Sequence, residues 1–462
     1  MILFYSIAFL FGIFFSIVVL LLGKPIFFQL SHASLELLNE VLSSETDDDI
    51  KASAVQKKAI KTLKELVYLS ILLLVLGFIF YLPIFISSWL GIDTIIKSDY
   101  AFSWQHWLIF SLGSLLPFFF YRKKNKNYSE VSKLLHRIVL NNYNVGKWLL
   151  KREFKKLTIQ PKGEFIIVSG LARSGTTSLM NYLAQHHQLK SLDYSNMPFL
   201  LAPNLWKKIY KPKAQNFQNR AHNDGLKICF SSAEALEEYF FKSHLNDNFI
   251  KDEIIYKHEI SNEIYQDYIK YQALVRGSDD SVYLAKNNNF LLRYKSIREY
   301  NKDFKFLVMV RDPLSHANSL LKQHQNFIKQ QNEDSFVLEY MNWLGHHEFG
   351  LNQKLFQFDE PVSASENKDT LEYWLQIWIN YYNYLLQLDD ENIILINYDM
   401  YCQYPQQHLE YILNKLGLKL NNIKIESFTP NEIEKPSEAL KNLEQANQIF
   451  EQLQSKALPI QP

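Results

Sequence analysis

Three stretches of this chain, Ile2 to Gly23, Leu66 to Gly91 and Ala101 to Tyr121, contain no Asp, Glu, Lys or Arg, and each is 21 to 26 residues long. A helix of that length reaches about 30 Å or more, the thickness of a hydrocarbon core. Backbone inside lipid must satisfy its own hydrogen bonds, so such runs cross only as helices. The sequence therefore predicts an all-α transmembrane region of about three helices over residues 1–121. The first run has no positive charge ahead of it and no small-residue cleavage site behind it, so it is expected to stay attached rather than act as a signal peptide. The third carries Gln105 and His106 near one end, and its alternative reading is a buried or interfacial helix.

Lys and Arg set the expected orientation. Lys24, Lys51, Lys57, Lys58, Lys61 and Lys64 lie between the first and second runs, only Lys97 lies between the second and third, and Arg122, Lys123, Lys124 and Lys126 follow the third. This asymmetry puts the N-terminus outside and everything after Tyr121 in the cytoplasm. The basic run beside the membrane suits contact with anionic lipid. With 49 basic and 48 acidic residues the net charge is +1, so no global field recruits nucleic acid, and anion specificity must be local. Cys229 and Cys402 are too few for a disulfide framework and lack metal or redox spacing.

Residues 122–160 read as a polar connector, 161–430 as a globular domain and 431–462 as a helical tail that packs on the domain or on a partner. The apolar runs Phe165–Ser169, Ser281–Leu284, Phe304–Val310 and Asn392–Asn397 suit strands buried on both faces. Helical patterns separate them, at Ser178–His186, Ala233–Phe241, Pro313–Gln330, Thr370–Leu388 and Gln406–Leu416. That alternation predicts an α/β fold, a P-loop-type parallel sheet flanked by helices.

The chemistry begins at Gly170-Leu-Ala-Arg-Ser-Gly-Thr-Thr-Ser178. A loop between a buried strand and a helix N-terminus offers backbone N–H groups and the positive end of the helix dipole to a phosphate. The two glycines have P-loop spacing, but Thr176 stands where nucleoside triphosphatases place the lysine that grips the β and γ phosphates. Arg173, inside the loop, supplies the positive charge instead.

Arg173-Ser-Gly-Thr-Thr177 between a strand and a helix resembles the 5′-phosphosulfate loop of the sulfotransferases that use 3′-phosphoadenosine 5′-phosphosulfate (PAPS), in their bacterial branch. In that family a later strand ends in Arg with Ser eight residues on, and both hold the donor's 3′-phosphate. Here Arg311 and Ser319 have that interval. Ala233–Phe241 resembles the family's acidic segment, Tyr398–Pro405 with Leu416-Gly-Leu418 its C-terminal stretch, and Leu284–Leu292 its Lys-x-Pro-x-His region. In the last of these Asn288 and Asn289 stand in place of proline, histidine or both. The resemblance implies PAPS bound by Gly170, Arg173, Ser174, Gly175, Thr176, Thr177, Ser178, Arg311 and Ser319, with no metal. It implies catalysis by Arg173 on the leaving phosphate, by Glu237 or Glu238 as base, and by Lys286 on a sulfonate oxygen. The acceptor is a hydroxyl or amine, and the anchor suggests a membrane-associated glycan or lipid. A P-loop kinase-like phosphoryl transferase and a non-catalytic membrane scaffold are the alternatives. His346-His347-Glu348 lacks the spacing of a zinc motif.

Overall fold

The structure, a computed structural model, describes residues 2–42, 48–89, 104–120, 130–209, 218–219, 227–228, 235–362, 367–418 and 440–460. It divides into two compact units, Met1–Asn141 and Asn142–Pro462. The break falls inside the stretch expected to be a connector.

The first unit is helical: α1 (Ile2–Val18), α2 (Lys24–Leu42), α3 (Asp48–Trp89), α4 (Trp104–Phe120) and α5 (Glu130–Leu140). A single π-helical turn, Val19–Gly23, joins α1 to α2. Among the described residues, the polar segment after the first apolar run is therefore helical, and α2 meets α3, where Thr62 Oγ1 donates to Ala33 O at 3.1 Å. Two continuous helical stretches, Tyr5–Ser31 and Ala52–Pro83, are long and apolar enough to cross a membrane. The third apolar run forms the 17-residue α4.

Helix α1 meets α4 through Ala8, Gly12 and Ser16, spaced four apart and hence on one face. Ala8 and Ser16 are buried. A β-carbon on Gly12 would collide with Phe110 O, and one on Gly113 with Phe9 O. Ser16 Oγ donates to Ser114 O. Backbones this close are stabilised by van der Waals contact, which small side chains permit. Gly113→Leu should overpack this contact, at a cost of about 1–3 kcal/mol, seen as a lower melting temperature of the full-length protein in detergent. An unchanged melting temperature would contradict this packing.

In the second unit the strands are β1 (Phe165–Ser169), β2 (Leu189–Lys190), β3 (Gln218–Asn219), β4 (Lys227–Ile228), β5 (Ile254–Tyr256), β6 (Val282–Lys286), β7 (Lys305–Val310), β8 (Leu355–Gln357) and β9 (Ile393–Asn397). The helices are α6 (Tyr143–Phe154), α7 (Thr176–Leu183), α8 (Pro203–Ile209), α9 (Glu238–Leu245), α10 (Asn262–Arg276), α11 (Tyr294–Tyr300), α12 (Pro313–Glu333), α13 (Ser335–Trp343), α14 (Leu371–Leu386), α15 (Tyr398–Gln403), α16 (Pro405–Lys415) and α17 (Leu443–Lys456).

The main sheet runs β2-β6-β1-β7-β9, parallel throughout. Every residue of β1 is buried, as expected for a strand covered on both faces. Ile166, Val168, Leu307 and Met309 face α7 and α16 through Leu179, Leu183, Leu409 and Ile412. The alternate residues Phe165 and Phe306 pack on Phe290, Phe304 and Tyr294. The tail helix α17 docks on α14, burying Ala446, Ile449 and Leu453, with Phe450 against Trp378.

This topology positions the site. Strand β1 lies between β6 and β7, where the strand order changes direction, and ligands of open α/β sheets bind beyond the carboxyl ends of the strands at such a point. Val168 is level with Lys286 and Ser169 with Val308, so the loop after β1, Lys286 and Arg311 emerge at one edge.

Candidate active site

The loop from Gly170 to Gly175 turns sharply enough to put three residues at positive φ: Gly170 at 142°, Arg173 at 72° and Gly175 at 96°. At Gly175, which caps α7, a β-carbon would come within 2.5 Å of the Tyr398 ring, so only glycine fits there. The first N–H groups of α7 have no intrahelical acceptor and point out of the helix start. Thr176 and Thr177 occupy that first turn, with Thr176 buried. Ser174 is buried beneath the loop, and Ser178 Oγ turns toward Tyr401 OH at 3.4 Å.

The two basic motifs meet directly. Arg173 Nε donates to Ser319 Oγ at 3.2 Å, and Arg311 Nη1 donates to Arg173 O at 3.1 Å. Arg311 is 9% exposed, lies over the Tyr398 ring at 4.7 Å, and has a carbonyl that accepts from Trp378 Nε1 at 3.2 Å. Asp312 does not pair with it: the Asp312 carboxylate caps α12 by accepting from Ser315 N at 2.8 Å. Pro313 takes the first helical position, where a missing N–H costs nothing. His316, on the same helix, is fully buried and 2.7 Å from Ala172 O. Burial and then the Arg311 charge lower its pKa to about 3, so it is neutral, and its Nε2–H donates to that carbonyl.

Strand β6 delivers Lys286 beside the loop. The lysine is buried, and its Nζ donates to Thr177 Oγ1 at 2.9 Å. Two sets of basic and hydroxylic groups, Arg311–Arg173–Ser319 and Lys286–Thr177, thus flank the same loop and form its cradle. Arg311 Nε is buried with no hydrogen-bond partner among the described residues. An orphaned guanidinium donor is what a phosphate oxygen satisfies. The cradle therefore offers positive charge and hydroxyl donors that suit a bound anion.

The helix of the acidic segment, expected over Ala233–Phe241, is α9; it starts at Glu238 with Glu237 as its N-cap, and both carboxylates are buried. Glu237 is 1% exposed and accepts from Tyr268 OH at 2.5 Å and Asn287 Nδ2 at 3.0 Å. Burial raises its pKa against those hydrogen bonds. Glu238 takes both guanidinium nitrogens of Arg293, at 2.7 and 2.6 Å, and a third hydrogen bond from Asn287 at 3.0 Å. Asn287 is held by its own N–H on Val168 O and by Ser169 Oγ on its carbonyl. Tyr268 and Arg293 belong to no motif, and Asn287 is the unspecified position after Lys286 in the Leu284–Leu292 stretch.

A small cleft, about the size of one water, lies beside Lys286 and Glu238, bounded also by Asn288, Asn289, His346 and Glu348. Asn288 Nδ2 donates to Glu348 Oε1 at 3.0 Å, and His346 Nδ1 lies 3.5 Å from the same oxygen. His347 is buried, with Nδ1 3.3 Å from Asn352 O. Among the described residues, no group of three or more His, Cys, Asp or Glu is placed to hold a metal ion.

Residues 165–422 match the profile described as Sulfotransferase family. Comparison with curated proteins gives no match. Among solved structures, the sulfotransferase STF1 from Mycobacterium tuberculosis H37Rv is 12% identical, with 68% of this chain and 79% of that chain covered, at a TM-score of 0.36. A sulfotransferase from Alicyclobacillus acidocaldarius is 15% identical, with 63% and 92% covered, at 0.30. The sulfotransferase domain from the curacin biosynthetic pathway is 18% identical, with 66% and 94% covered, at 0.29. Scores this low carry no weight here; the profile match, over more than half of the chain, does. By that match the chain belongs to the sulfotransferase family.

Proposed function

We propose that this protein transfers the sulfuryl group of PAPS to a hydroxyl or amine on a membrane-associated glycan or lipid, at the cytoplasmic face of a bilayer that its N-terminal helices span. The observation that carries the reading is the junction of the two motifs, in which Arg173 bonds Ser319 and Arg311 bonds the Arg173 carbonyl. When bound, the donor supplies the sulfuryl group and a phosphate leaving group. Arg311 and Ser319 hold its 3′-phosphate, while the loop amides, Ser174 and Thr176 hold the phosphosulfate end. Arg173, Thr177 and Lys286 face the leaving oxygen, where preorganised positive charge and donors lower the barrier most. A kinase-like reading fits less well, since Thr176 replaces the lysine that a nucleoside triphosphate requires.

The test incubates the full-length protein, in membranes, with PAPS carrying radioactive sulfur. Label in the lipid-extractable fraction, lost in Arg173→Ala, is expected; label only in water-soluble products would contradict the membrane-associated acceptor.

A further inference from the structure

We propose that His346, oriented by Glu348, is the base that takes the acceptor's proton, in place of Glu237 or Glu238; this rests on the sulfotransferase reading above. The two glutamates of the acidic segment are already committed. Glu238 has both oxygens on Arg293, and Glu237 is sealed under Tyr268 and Asn287. Protonating Glu238 would leave the buried Arg293 without its counter-charge. His346 instead lines the same cleft as Lys286, the lysine tied to the donor loop through Thr177. It keeps 22% of its side chain exposed.

The support behind the ring is built like that of a working imidazole. Nδ1 faces Glu348 at 3.5 Å, which puts Nε2 on the far side of the ring. Asn288, two residues after Lys286, pins the Glu348 carboxylate. Burial by itself raises the pKa of Glu348, but the His346 charge and hydrogen bonds from His346, backbone and Asn288 pull it down to about 2. It therefore stays ionised and stabilises an imidazolium, the role of a carboxylate that orients a histidine base. The charged groups lining the same cleft are Lys286, Glu238 and Glu348, and the Lys242 side chain approaches Gly345. In the step, the acceptor's O–H or N–H proton passes to His346 Nε2 as its oxygen or nitrogen bonds to sulfur. The S–O bond to the leaving phosphate breaks, and the electron pair stays on that phosphate.

The test uses the full-length protein in detergent, with diethyl pyrocarbonate labelling read by mass spectrometry and 3′-phosphoadenosine 5′-phosphate as the binding probe. His346 should be labelled while the buried His316 and His347 are not; an unlabelled His346 overturns the proposal. His346→Ala should keep the thermal stabilisation by the nucleotide. It should lose about 100-fold or more of nucleotide release from PAPS with phenol as acceptor, the usual contribution of a general base, and added imidazole should restore part of that rate. Unchanged release, or a loss that imidazole does not repair, overturns it. If the nucleotide fails to stabilise even the wild type, the donor-site reading has failed instead.

Discussion

Arg311→Ala is expected to weaken binding of 3′-phosphoadenosine 5′-phosphate by about 100-fold or more, with the melting temperature of the unliganded protein nearly unchanged. Hydrogen bonds to charged groups contribute about 1.5–3 kcal/mol each, and every 1.4 kcal/mol or so is tenfold in affinity. Arg311 offers a guanidinium held by Tyr398 and by the Arg173 carbonyl, with Nε still unsatisfied. Arg311→Lys keeps the charge and loses the fork, so it should fall between the two. Calorimetric titration of the full-length protein in detergent reads the difference. A loss below about threefold would place the 3′-phosphate elsewhere.

Arg293→Met should be the most destabilising single change in the second unit, at about 3–5 kcal/mol, because it leaves the Glu238 carboxylate buried and unpaired. Arg293 is 1% exposed, stacks on Phe241 at 4.1 Å and meets Glu238 through two hydrogen bonds. Glu238→Gln combined with Arg293→Met removes both charges and should recover much of the loss, since the penalty lies in the orphaned ion rather than in the missing pair. Denaturant midpoints of the two variants check this. Equal midpoints for wild type and the single variant would show that the pair contributes nothing.

The parts of this molecule that could be read in advance are those whose cause is local. Strands β1, β7 and β9 appear as unbroken apolar runs because both faces of the sheet are covered. The loop at Gly170 to Gly175 is legible because its turns need glycine at two positions and a charge between them. The interval from Arg311 to Ser319 is legible because Arg311 lies between the end of β7 and the start of α12, the helix that carries Ser319. The acidic segment was harder: a run of glutamates has the same local pattern whether it faces water or a buried arginine. What distinguishes the two at Glu237 and Glu238 is Tyr268 and Arg293, which lie 31 and 55 residues along the chain. The adjacent His346 and His347 look alike in sequence, and their burial differs only once the chain around Gly345 is folded. In the helical unit, length and apolarity marked three runs, of which two form helices long and apolar enough to cross a membrane, while the contact of Gly12 with α4 depended on which faces meet.

The most direct measurement is the melting temperature of the wild-type, full-length protein in detergent with 3′-phosphoadenosine 5′-phosphate, and separately with ATP and magnesium. A ligand at about 100 times its dissociation constant adds about 2.7 kcal/mol to the folded state. The account predicts that the nucleotide with the 3′-phosphate raises the melting temperature and that ATP with magnesium does not. Stabilisation by ATP with magnesium and none by the 3′-phosphate nucleotide would contradict it.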